Sequence, residues 1–368
     1  MLPNEKALKI IGLMSGTSLD GLDLVFVHLW YEKNKWNYKI IFSECVDYEE
    51  DWKKMIASIP QLSAEAFWQK HVELGHYFGK STYDFMQKHN IFDEVDWVVS
   101  HGQTIFHQPQ LGYTAQIGCG AAVSASAQKN VVCDLRSMDV AHNGQGAPLV
   151  PVGEKYLFQD CSIFLNLGGI SNISFHSSNK ISAFDISPAN TLLNFFSKKL
   201  GFAYDESGKL AKNGKLIPTL MEQWNNNPFY KKPIPKSLHT DYILETFIAQ
   251  VDLNHLELID ILNTAVEHIA FSIGESFKLI SGFDFKNKKM IVTGGGALNN
   301  YLIERIKNYV PIEVIIPNKE TILYKEALIM AFLGGLRIQE THNCYKTITG
   351  ATQNSIGGAI YLHHKTLK

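Results

Sequence analysis

The amino-acid sequence predicts an α/β protein of two related lobes, and three observations support this prediction. Stretches rich in β-branched and aromatic residues alternate with helical periods along the chain, a pattern typical of layered α/β domains. Two units of strand, glycine-bearing loop and strand begin at residues 10 and 163, which indicates a weak duplication. The length of 368 residues also exceeds the roughly 250–300 residues at which a single core stops growing.

The first predicted element in each lobe is a β-hairpin. In the first hairpin, strands at 10–13 and 22–30 flank the turn-forming sequence MSGTSLDG. In the second, strands at 163–167 and 173–176 flank the sequence GGISN. We expect each hairpin to end in a tip of small residues that can meet a ligand.

The remaining elements follow from hydrophobic periodicity. A long helix is predicted after Ser63 as N-cap, and a second over 259–280, where apolar residues recur at steps of three and four. The polar stretch 224–236, with three consecutive Asn and three Pro, is predicted to be a surface excursion. Further strands are predicted at 97–100, 131–133, 290–293 and 314–316, and further helices from 298 and over 325–338.

The composition excludes several classes of protein. The 34 Lys and Arg residues nearly balance 36 Asp and Glu residues, and no basic cluster is long enough to follow a nucleic-acid backbone. The five cysteines are dispersed without a CxxC pair, which favours reduced thiols in a cytoplasm. The most apolar stretch near the C-terminus, 327–336, is about half the roughly 20 residues that cross a bilayer. We expect a cytoplasmic protein that binds neither nucleic acid nor membranes.

Three glycine-bearing loops indicate a nucleotide site. Residues 12–23 (GLMSGTSLDGLD) offer backbone N–H groups, hydroxyls and carboxylates that suit phosphate and Mg²⁺, although a plain hairpin turn is an equal alternative. This loop lacks the spacing and the lysine of a P-loop. Residues 168–172 (GGISN) alone indicate an ordinary tight hairpin. Residues 292–300 (VTGGGALNN) follow a strand and open a helix, where bare backbone lets a flat ring or a phosphate lie close.

Six motifs, in order over nearly the whole chain, resemble those of the anhydro-N-acetylmuramic acid kinase family. They are GLMSGTSLDGLD (12–23), SHGQT (100–104), DLRSMDVAHNGQGAPLVP (134–151), LNLGGISN (165–172), FDISPAN (184–190) and TGGGALN (293–299). The resemblance implies the two-lobed actin-like ATPase fold of the sugar kinase, Hsp70 and actin superfamily, with ribonuclease H-like lobes and ATP in the cleft. We expect an N-terminal lobe over 1–130, completed by a C-terminal helix over 346–368. A C-terminal lobe over 131–345 would carry the catalytic base and the adenosine-binding loop.

The resemblance also implies a reaction. A phosphotransferase with an alcohol group as acceptor would use ATP and water to convert 1,6-anhydro-N-acetylmuramate into N-acetylmuramate 6-phosphate and ADP, in peptidoglycan recycling and amino-sugar catabolism. Because oxygen 6 of the anhydro sugar is tied to carbon 1, water must attack carbon 1 while oxygen 6 leaves and takes the γ-phosphoryl group. This attack needs a carboxylate base on the side opposite the phosphate. Two alternatives stay open: an ordinary hexosamine 6-kinase, and a non-enzymatic nucleotide-gated binding protein of the same fold.

By resemblance, individual residues acquire expected roles. Asp185 matches the catalytic base, with a turn-forming Asp as the alternative, and Glu326 matches a glutamate that helps to position the water, with a helix first-turn Glu as the alternative. Asp20 is the candidate for the Mg²⁺ shell, through water. Arg136 would pair with the lactyl carboxylate of the sugar or form a surface salt bridge. The candidate sugar contacts are Gln103, Arg136, Asn143, Gln145 and Gly146. The candidate ATP contacts are Gly16, Thr17, Ser18, Leu19, Asp20, Gly21, Leu22, Asp23, Gly168, Gly169, Ser171, Asn172, Gly294, Gly295 and Gly296.

Three segments depart from the family pattern. Cys119 stands where an acidic residue is common, PIPKSLH (233–239) replaces PPKSTGR, and FDISPAN replaces FDTGPGN. His101 and His107 flank the SHGQT motif without a third clustered ligand, which favours structural roles over zinc. The sequence does not determine the oligomeric state and leaves a homodimer open.

Overall fold

The computed structural model describes residues 7–16, 19–177 and 181–363. The chain forms two compact units, Met1–Gln159 with Tyr324–Lys368, and Asp160–Leu323. This division moves the predicted lobe boundary from residue 130 to residue 159, because the strand at Asn130–Cys133 pairs with the sheet of the first unit. The return to the first unit lies at Tyr324 rather than at the predicted residue 346.

Twelve strands and thirteen α-helices are named in chain order within the described residues. The strands are β1 Leu8–Ser15, β2 Gly21–Glu32, β3 Lys35–Asp47, β4 Trp97–Gln108, β5 Tyr113–Ile117, β6 Asn130–Cys133, β7 Ile163–Leu167, β8 Ile170–His176, β9 Ile181–Pro188, β10 Lys289–Thr293, β11 Glu313–Ile315 and β12 Ala359–Tyr361. The helices are α1 Glu50–Ser58, α2 Ala64–Lys88, α3 Gly120–Ala127, α4 Ser137–Ala141, α5 Val150–Leu157, α6 Asn190–Lys199, α7 Lys209–Asn213, α8 Pro218–Asn225, α9 Thr240–Ile243, α10 Leu258–Ser276, α11 Asn300–Tyr309, α12 Lys319–Ile338 and α13 Lys346–Thr349. Within the described part of the chain, no helix has the length and hydropathy needed to span a membrane.

Each unit is built on one sheet, and five strands of the seven-stranded first sheet repeat the arrangement of the five-stranded second sheet. In the first unit, β1, β2 and β3 form an antiparallel meander, β4 runs parallel to β1, and β6 runs parallel to β4. In the second unit, β7, β8 and β9 form the meander, β10 runs parallel to β7, and β11 runs parallel to β10. The order β3, β2, β1, β4 and β6 thus matches the order β9, β8, β7, β10 and β11, and the first sheet adds β5 beside β4 and β12 beside β6. This shared order fits the ribonuclease H-like lobes that the resemblance implies. The predicted two-lobed α/β class is confirmed.

Local sequence explains the main helices and hairpins. Ser63 caps α2 by accepting a hydrogen bond from the Ala66 N–H at 3.3 Å, as a serine N-cap predicts. The apolar stripe of α2 lies in the core of the first unit, with Leu74 and Phe78 fully buried. The periodic apolar residues of α10 lie in the separate core of the second unit. Both predicted hairpins are present as β1–β2 and β7–β8.

The predicted helix over 346–368 is wrong. Its described part contains only the single turn of α13, which ends at Gly350 with φ +77°, and then β12, which pairs antiparallel with β6. A left-handed glycine is a common helix stop. The C-terminal segment therefore completes the first unit as a strand rather than as a helix.

The predicted surface excursion over 224–236 is only partly correct, because four of its residues are buried. Trp224 and Phe229 are buried, and the Trp224 indole N–H donates to the Phe247 carbonyl at 2.9 Å. The Asn227 side chain accepts hydrogen bonds from the Phe229 N–H at 3.0 Å and from the Tyr242 hydroxyl at 2.8 Å. The segment therefore combines exposed positions, among them Lys231 and Lys232, with buried ones whose polar groups are satisfied inside the unit.

Candidate functional site

The tip of the β1–β2 hairpin is the first of the predicted ATP-binding loops. The Leu19 N–H donates to the Gly16 carbonyl at 3.3 Å, and Leu19 has φ +57°. The Asp20 carbonyl accepts from the Tyr48 N–H at 3.1 Å, which ties this loop to the end of β3. The Asp20 side chain is exposed. Thr17 and Ser18, which belong to the same predicted set, lie outside the described residues.

Asp23 is an electrostatically costly carboxylate on β2. Burial raises its pKa to about 6, a hydrogen bond with the Cys45 thiol opposes the rise, and the negative charges of Glu326 and Asp20 add to it. Burial and the neighbouring Asp23 raise the pKa of the Cys45 thiol to about 12, so this thiol is protonated. Asp23 therefore lies in a region of surplus negative charge, which a bound cation would relieve.

The residues of this loop fit magnesium in a limited way. Among the described residues, no group of three or more His, Cys, Asp or Glu side chains lies close enough to enclose a metal ion. Mg²⁺ usually keeps several waters and binds through one or two carboxylates together with phosphates of a substrate. The exposed Asp20, close to the electrostatically destabilised Asp23, suits a Mg²⁺ ion that is held mainly by water and substrate phosphates. The described residues do not suit a Mg²⁺ ion held by protein groups alone.

Gln103 is buried beneath this loop. Its Oε1 accepts a hydrogen bond from the Ser15 hydroxyl, whose oxygen also lies 2.6 Å from the Tyr48 hydroxyl oxygen. The Gln103 side-chain N–H donates to the Thr104 carbonyl at 3.4 Å. The predicted sugar contact thus connects the SHGQT motif to the β1–β2 loop.

Arg136 is held by a neutral histidine. Burial, and then the Arg136 charge, lower the pKa of His101 to about 3. The His101 Nδ1–H donates to the Gly102 carbonyl at 2.8 Å, which leaves Nε2 to accept the Arg136 Nε–H at 2.9 Å. Arg136 Nη1 donates to the Gly146 carbonyl at 2.7 Å, and Arg136 forms no ion pair with a carboxylate inside the described ranges. The surface salt bridge expected as one alternative is therefore absent from the described part of the chain.

Asp139, which sequence reasoning missed, organises the loop that carries the other predicted sugar contacts. Its Oδ2 accepts from the Gly146 N–H at 2.8 Å and its Oδ1 from the Thr349 hydroxyl at 2.7 Å. Asn143 and Gln145 are exposed on this loop. In the sequence, the only sign of this role is that Asp139 precedes Gly144 and Gly146 of the same motif by five and seven residues. Its second partner, Thr349, lies 210 residues away in the chain.

The structure brings the second and third glycine loops together in the second unit. A Cβ on Gly294, where φ is +81°, would lie 2.6 Å from Asn166 Oδ1, and a Cβ on Gly296 would lie 2.7 Å from the Leu167 Cβ. These approaches require glycine. Gly295 and Gly169 are exposed, and the Gly168 carbonyl accepts from the Asn190 N–H at 3.0 Å. Bare backbone of both loops is thus presented side by side.

Ser171 and Asn172 differ in exposure on β8. Ser171 is fully buried and its hydroxyl oxygen lies 2.9 Å from that of Ser187, so it stabilises the hairpin from within. Asn172 is half-buried and stands opposite Asp185 in the strand register.

Asp185 is fixed at two points on β9. Its N–H donates to the Lys236 carbonyl at 3.0 Å, and its Oδ2 accepts from the Leu238 N–H at 2.9 Å. Burial raises the pKa of Asp185, while the Leu238 N–H and the nearby His239 oppose this rise. The turn alternative is wrong, because Asp185 lies within a strand that extends to Pro188.

Glu326 lies on α12, two residues after a kink at Tyr324. It is exposed, and its charge acts on both Asp23 and Arg136. Because the helix restarts at the kink, the first-turn alternative stays open. Within the first unit, Glu326 nevertheless shares an electrostatic neighbourhood with the glycine loop and with the candidate sugar contact.

The family model and the relatives found by sequence comparison agree on one family. A family model described as anhydro-N-acetylmuramic acid kinase matches residues 8–363. The anhydro-N-acetylmuramic acid kinase of Bacillus anthracis is 31% identical over 95% of this chain and 98% of its own, and that of Hydrogenovibrio crunogenus is 29% identical over 98% of this chain and 100% of its own. Among solved structures, the component A of the Acidaminococcus fermentans (R)-2-hydroxyglutaryl-CoA dehydratase is 14% identical, with a TM-score of 0.47, over 88% of this chain and 96% of its own.

Proposed function

Because the chain belongs to the anhydro-N-acetylmuramic acid kinase family, we propose that it converts 1,6-anhydro-N-acetylmuramate, ATP and water into N-acetylmuramate 6-phosphate and ADP. The observation that carries the chemistry is Asp185, a half-buried carboxylate fixed by two hydrogen bonds in a motif of the family. A reaction of this kind serves the recycling of peptidoglycan fragments and the catabolism of amino sugars.

Asp185 acts as the base in this mechanism. The Leu238 N–H occupies Oδ2, and no described hydrogen bond uses Oδ1, so Oδ1 is available to a water molecule. The water attacks carbon 1 of the sugar, its proton passes to Asp185, and the bond from carbon 1 to oxygen 6 breaks. Oxygen 6 then bonds to the γ-phosphorus while the bond from that phosphorus to the β,γ-bridging oxygen breaks, and ADP leaves with that oxygen. A carboxylate whose pKa is raised by burial is a better proton acceptor than an exposed one. We assign Glu326 to the positioning of the water.

The glycine loops of both units hold the nucleotide in this proposal. In the first unit, Gly16 to Asp23 supply N–H groups, hydroxyls and carboxylates, and in the second, Gly168, Gly169, Asn172 and Gly294 to Gly296 supply bare backbone. Asp20 would hold Mg²⁺ through water, with the Asp23 charge close by. When bound, Mg²⁺ neutralises charge on the phosphates. Ser171 acts indirectly, through the hairpin that it stabilises.

The sugar is recognised by residues of the first unit. Arg136, oriented by His101 and the Gly146 carbonyl, pairs with the lactyl carboxylate, since a guanidinium held by fixed acceptors suits a planar anion. Asn143 and Gln145, which are exposed, supply amide groups for the acetamido and hydroxyl oxygens. The buried Gln103 acts indirectly, through its hydrogen bond with Ser15. The substrate is a small molecule and the location is the cytoplasm; independence from nucleic acid and a homodimer stay predictions.

The test is an ADP-release assay with and without 1,6-anhydro-N-acetylmuramate. We expect ADP release that depends on the anhydro sugar and yields one ADP per sugar consumed. N-acetylmuramate and N-acetylglucosamine serve as control acceptors that carry a free hydroxyl on carbon 6. Equal rates with these controls would support an ordinary hexosamine 6-kinase, and slow release independent of any sugar would support a nucleotide-gated binding protein.

A further inference from the structure

Lys236 is a buried cation that the proposed reaction does not use. The residue is 8% exposed, and its ammonium lies 4.4 Å from the centre of the Phe229 ring and 5.5 Å from that of Tyr230. The ammonium donates to the carbonyls of Phe229 and Tyr230, each at 3.4 Å. Within the described ranges it forms no ion pair with a carboxylate. Burial, and then the charge of Lys232, lower the pKa of Lys236.

The rings beneath this ammonium are themselves fixed. The Tyr230 hydroxyl lies 2.7 Å from His268 Nε2, and His268 Nδ1 lies 2.7 Å from Asn225 Oδ1. Burial lowers the pKa of His268 to about 3, so the ring is neutral. Because Asn225 Oδ1 can only accept, the neutral ring donates from Nδ1, and its Nε2 accepts from the Tyr230 hydroxyl. The platform for Lys236 is therefore anchored through Tyr230 to α8 and α10.

The backbone of the same lysine adjoins the proposed base. The Lys236 carbonyl accepts the Asp185 N–H, and two residues later the Leu238 N–H donates to the Asp185 carboxylate. On β9, Phe184 and Ile186 border a cavity of about 330 Å³ together with Lys236. Because Lys236 borders this cavity, its place beside β9 depends on the hydrogen bonds and ring contacts of its ammonium as well as on packing.

We propose that Lys236 is a positioning residue for the base: its ammonium, held on the Phe229 and Tyr230 platform, fixes residues 236–238 and so keeps the Leu238 N–H on the Asp185 carboxylate. An apolar side chain would fill the same place without the free-energy cost of removing a charge from water, so packing alone does not explain a lysine here. The inference rests on the proposed role of Asp185. It extends that role to a residue that touches neither sugar nor nucleotide.

The test compares Lys236→Met with Lys232→Met, an exposed lysine of the same segment. The hydrogen bond from Leu238 lowers the pKa of Asp185, so its loss should move the acid limb of kcat/KM for the sugar to higher pH, by about one unit. We expect this shift in Lys236→Met, together with at least about tenfold lower kcat near pH 6 and faster hydrogen exchange of the Leu238 amide. The KM for ATP should stay unchanged, and Lys232→Met should behave as the wild type.

Hydrogen exchange separates positioning from a plain charge effect. If removal of the ammonium acted on Asp185 only through space, the Leu238 amide would stay protected. His239, the other titratable group that acts on Asp185, is unchanged in every variant. A folded Lys236→Met enzyme with an unmoved acid limb, or with a protected Leu238 amide, would overturn the inference.

Two further variants keep the test decisive. If Lys236→Met fails to fold, Lys236→Gln replaces it, because Gln retains N–H donors toward the two carbonyls. Its acid limb of kcat/KM should move in the same direction but by less. An acid limb that does not move at all would again overturn the inference. Asp185→Asn tests the proposed function separately. If Asp185→Asn keeps its activity, the assignment of Asp185 as the base is wrong. If Asp185→Asn loses its activity but the pH profile of Lys236→Met is that of the wild type, only the positioning role of Lys236 is refuted.

Discussion

Asp23 and Asp185 are carboxylates whose pKa is raised mainly by burial, and neither forms an ion pair within the described ranges. A buried carboxylate of this kind costs folding free energy at neutral pH. Each lies in one of the six motifs that resemble those of the family, one on β2 and one on β9. This cost in folding free energy is expected for groups that bind a ligand or take part in catalysis.

The role of Asp185 is tested by replacement with Asn. Asn keeps the oxygen that accepts the Leu238 N–H but cannot take a proton from water. We expect turnover to fall by about 10² or more, with the dissociation constant for ATP nearly unchanged. Asp241→Asn, at an exposed position of α9, is the control. Retention of most activity by Asp185→Asn would remove it from the role of base.

Asp23 predicts an unusual dependence of stability on pH. Its pKa is about 6 in the folded protein against an ordinary value of 3.8, so the folded state binds more protons between these values and loses stability as pH rises from about 4 to 6. Asp23→Asn should therefore raise the free energy of unfolding at pH 7 by about 1–2 kcal/mol, after allowance for solvent screening. The gain should vanish at pH 4, as measured by urea denaturation at both pH values. A variant less stable than the wild type at pH 7 would contradict this account.

At the scale of elements, the close approach of β1 to α12 shapes the first unit. A Cβ on Gly12 would lie 2.1 Å from the Ala327 carbonyl oxygen, whereas a Cβ on Gly335 of the same helix would meet nothing closer than 3.4 Å. Backbone contact of this kind leaves no room for a side chain. The glycine at the start of the first motif thus has a structural reason, separate from the nucleotide.

We expect Gly12→Ala to destabilise the protein by about 1–3 kcal/mol, because the strand or the helix must move. Gly335→Ala should leave stability unchanged or raise it slightly, since alanine favours a helix. Thermal unfolding of both variants measures the difference. Equal melting temperatures would show that β1 and α12 do not approach as closely as described.

The loop between β6 and α5 gives a prediction about the sugar. Lysine cannot donate to both His101 and Gly146 with the fixed geometry of a guanidinium. Arg136→Lys should therefore raise the KM for the anhydro sugar by about tenfold or more, with the KM for ATP unchanged. Arg337→Lys on α12 is the matched control, since its Nε–H donates to the Gly358 carbonyl at 2.8 Å. An unaltered sugar KM in Arg136→Lys would exclude the assigned contact.

Periodicity predicted the hairpins and the long helices because these depend on neighbours along the chain. The roles of Asp139 and Lys236 depend on distant partners: Asp139 bonds to Thr349, and Lys236 lies in a stretch whose composition indicated a surface. The failed C-terminal helix has a local cause, since Gly350, Gly357 and Gly358 interrupt it. Resemblance to a family supplied the site residues, whereas the contacts that orient them required the structure.

At the scale of the whole molecule, one topology is used twice with different chemistry at its tips. The duplication was weak in the sequence because the two hairpin tips share only small residues and Ser, and the repeated strand order makes it plain. The first unit carries the acidic loop and Arg136, and the second carries Asp185 and the bare glycine loops. In the proposed reaction, water attacks carbon 1 of the sugar, and oxygen 6 of the sugar accepts the phosphoryl group.

Labelled water tests this assignment most directly. In a reaction run in H₂¹⁸O with ATP and 1,6-anhydro-N-acetylmuramate, mass spectrometry should find ¹⁸O at carbon 1 of N-acetylmuramate 6-phosphate and none in the phosphate group. Unlabelled product held in the same water for the same time controls for later exchange at carbon 1. Product without label at carbon 1, or with label in its phosphate, would contradict the proposed ring opening.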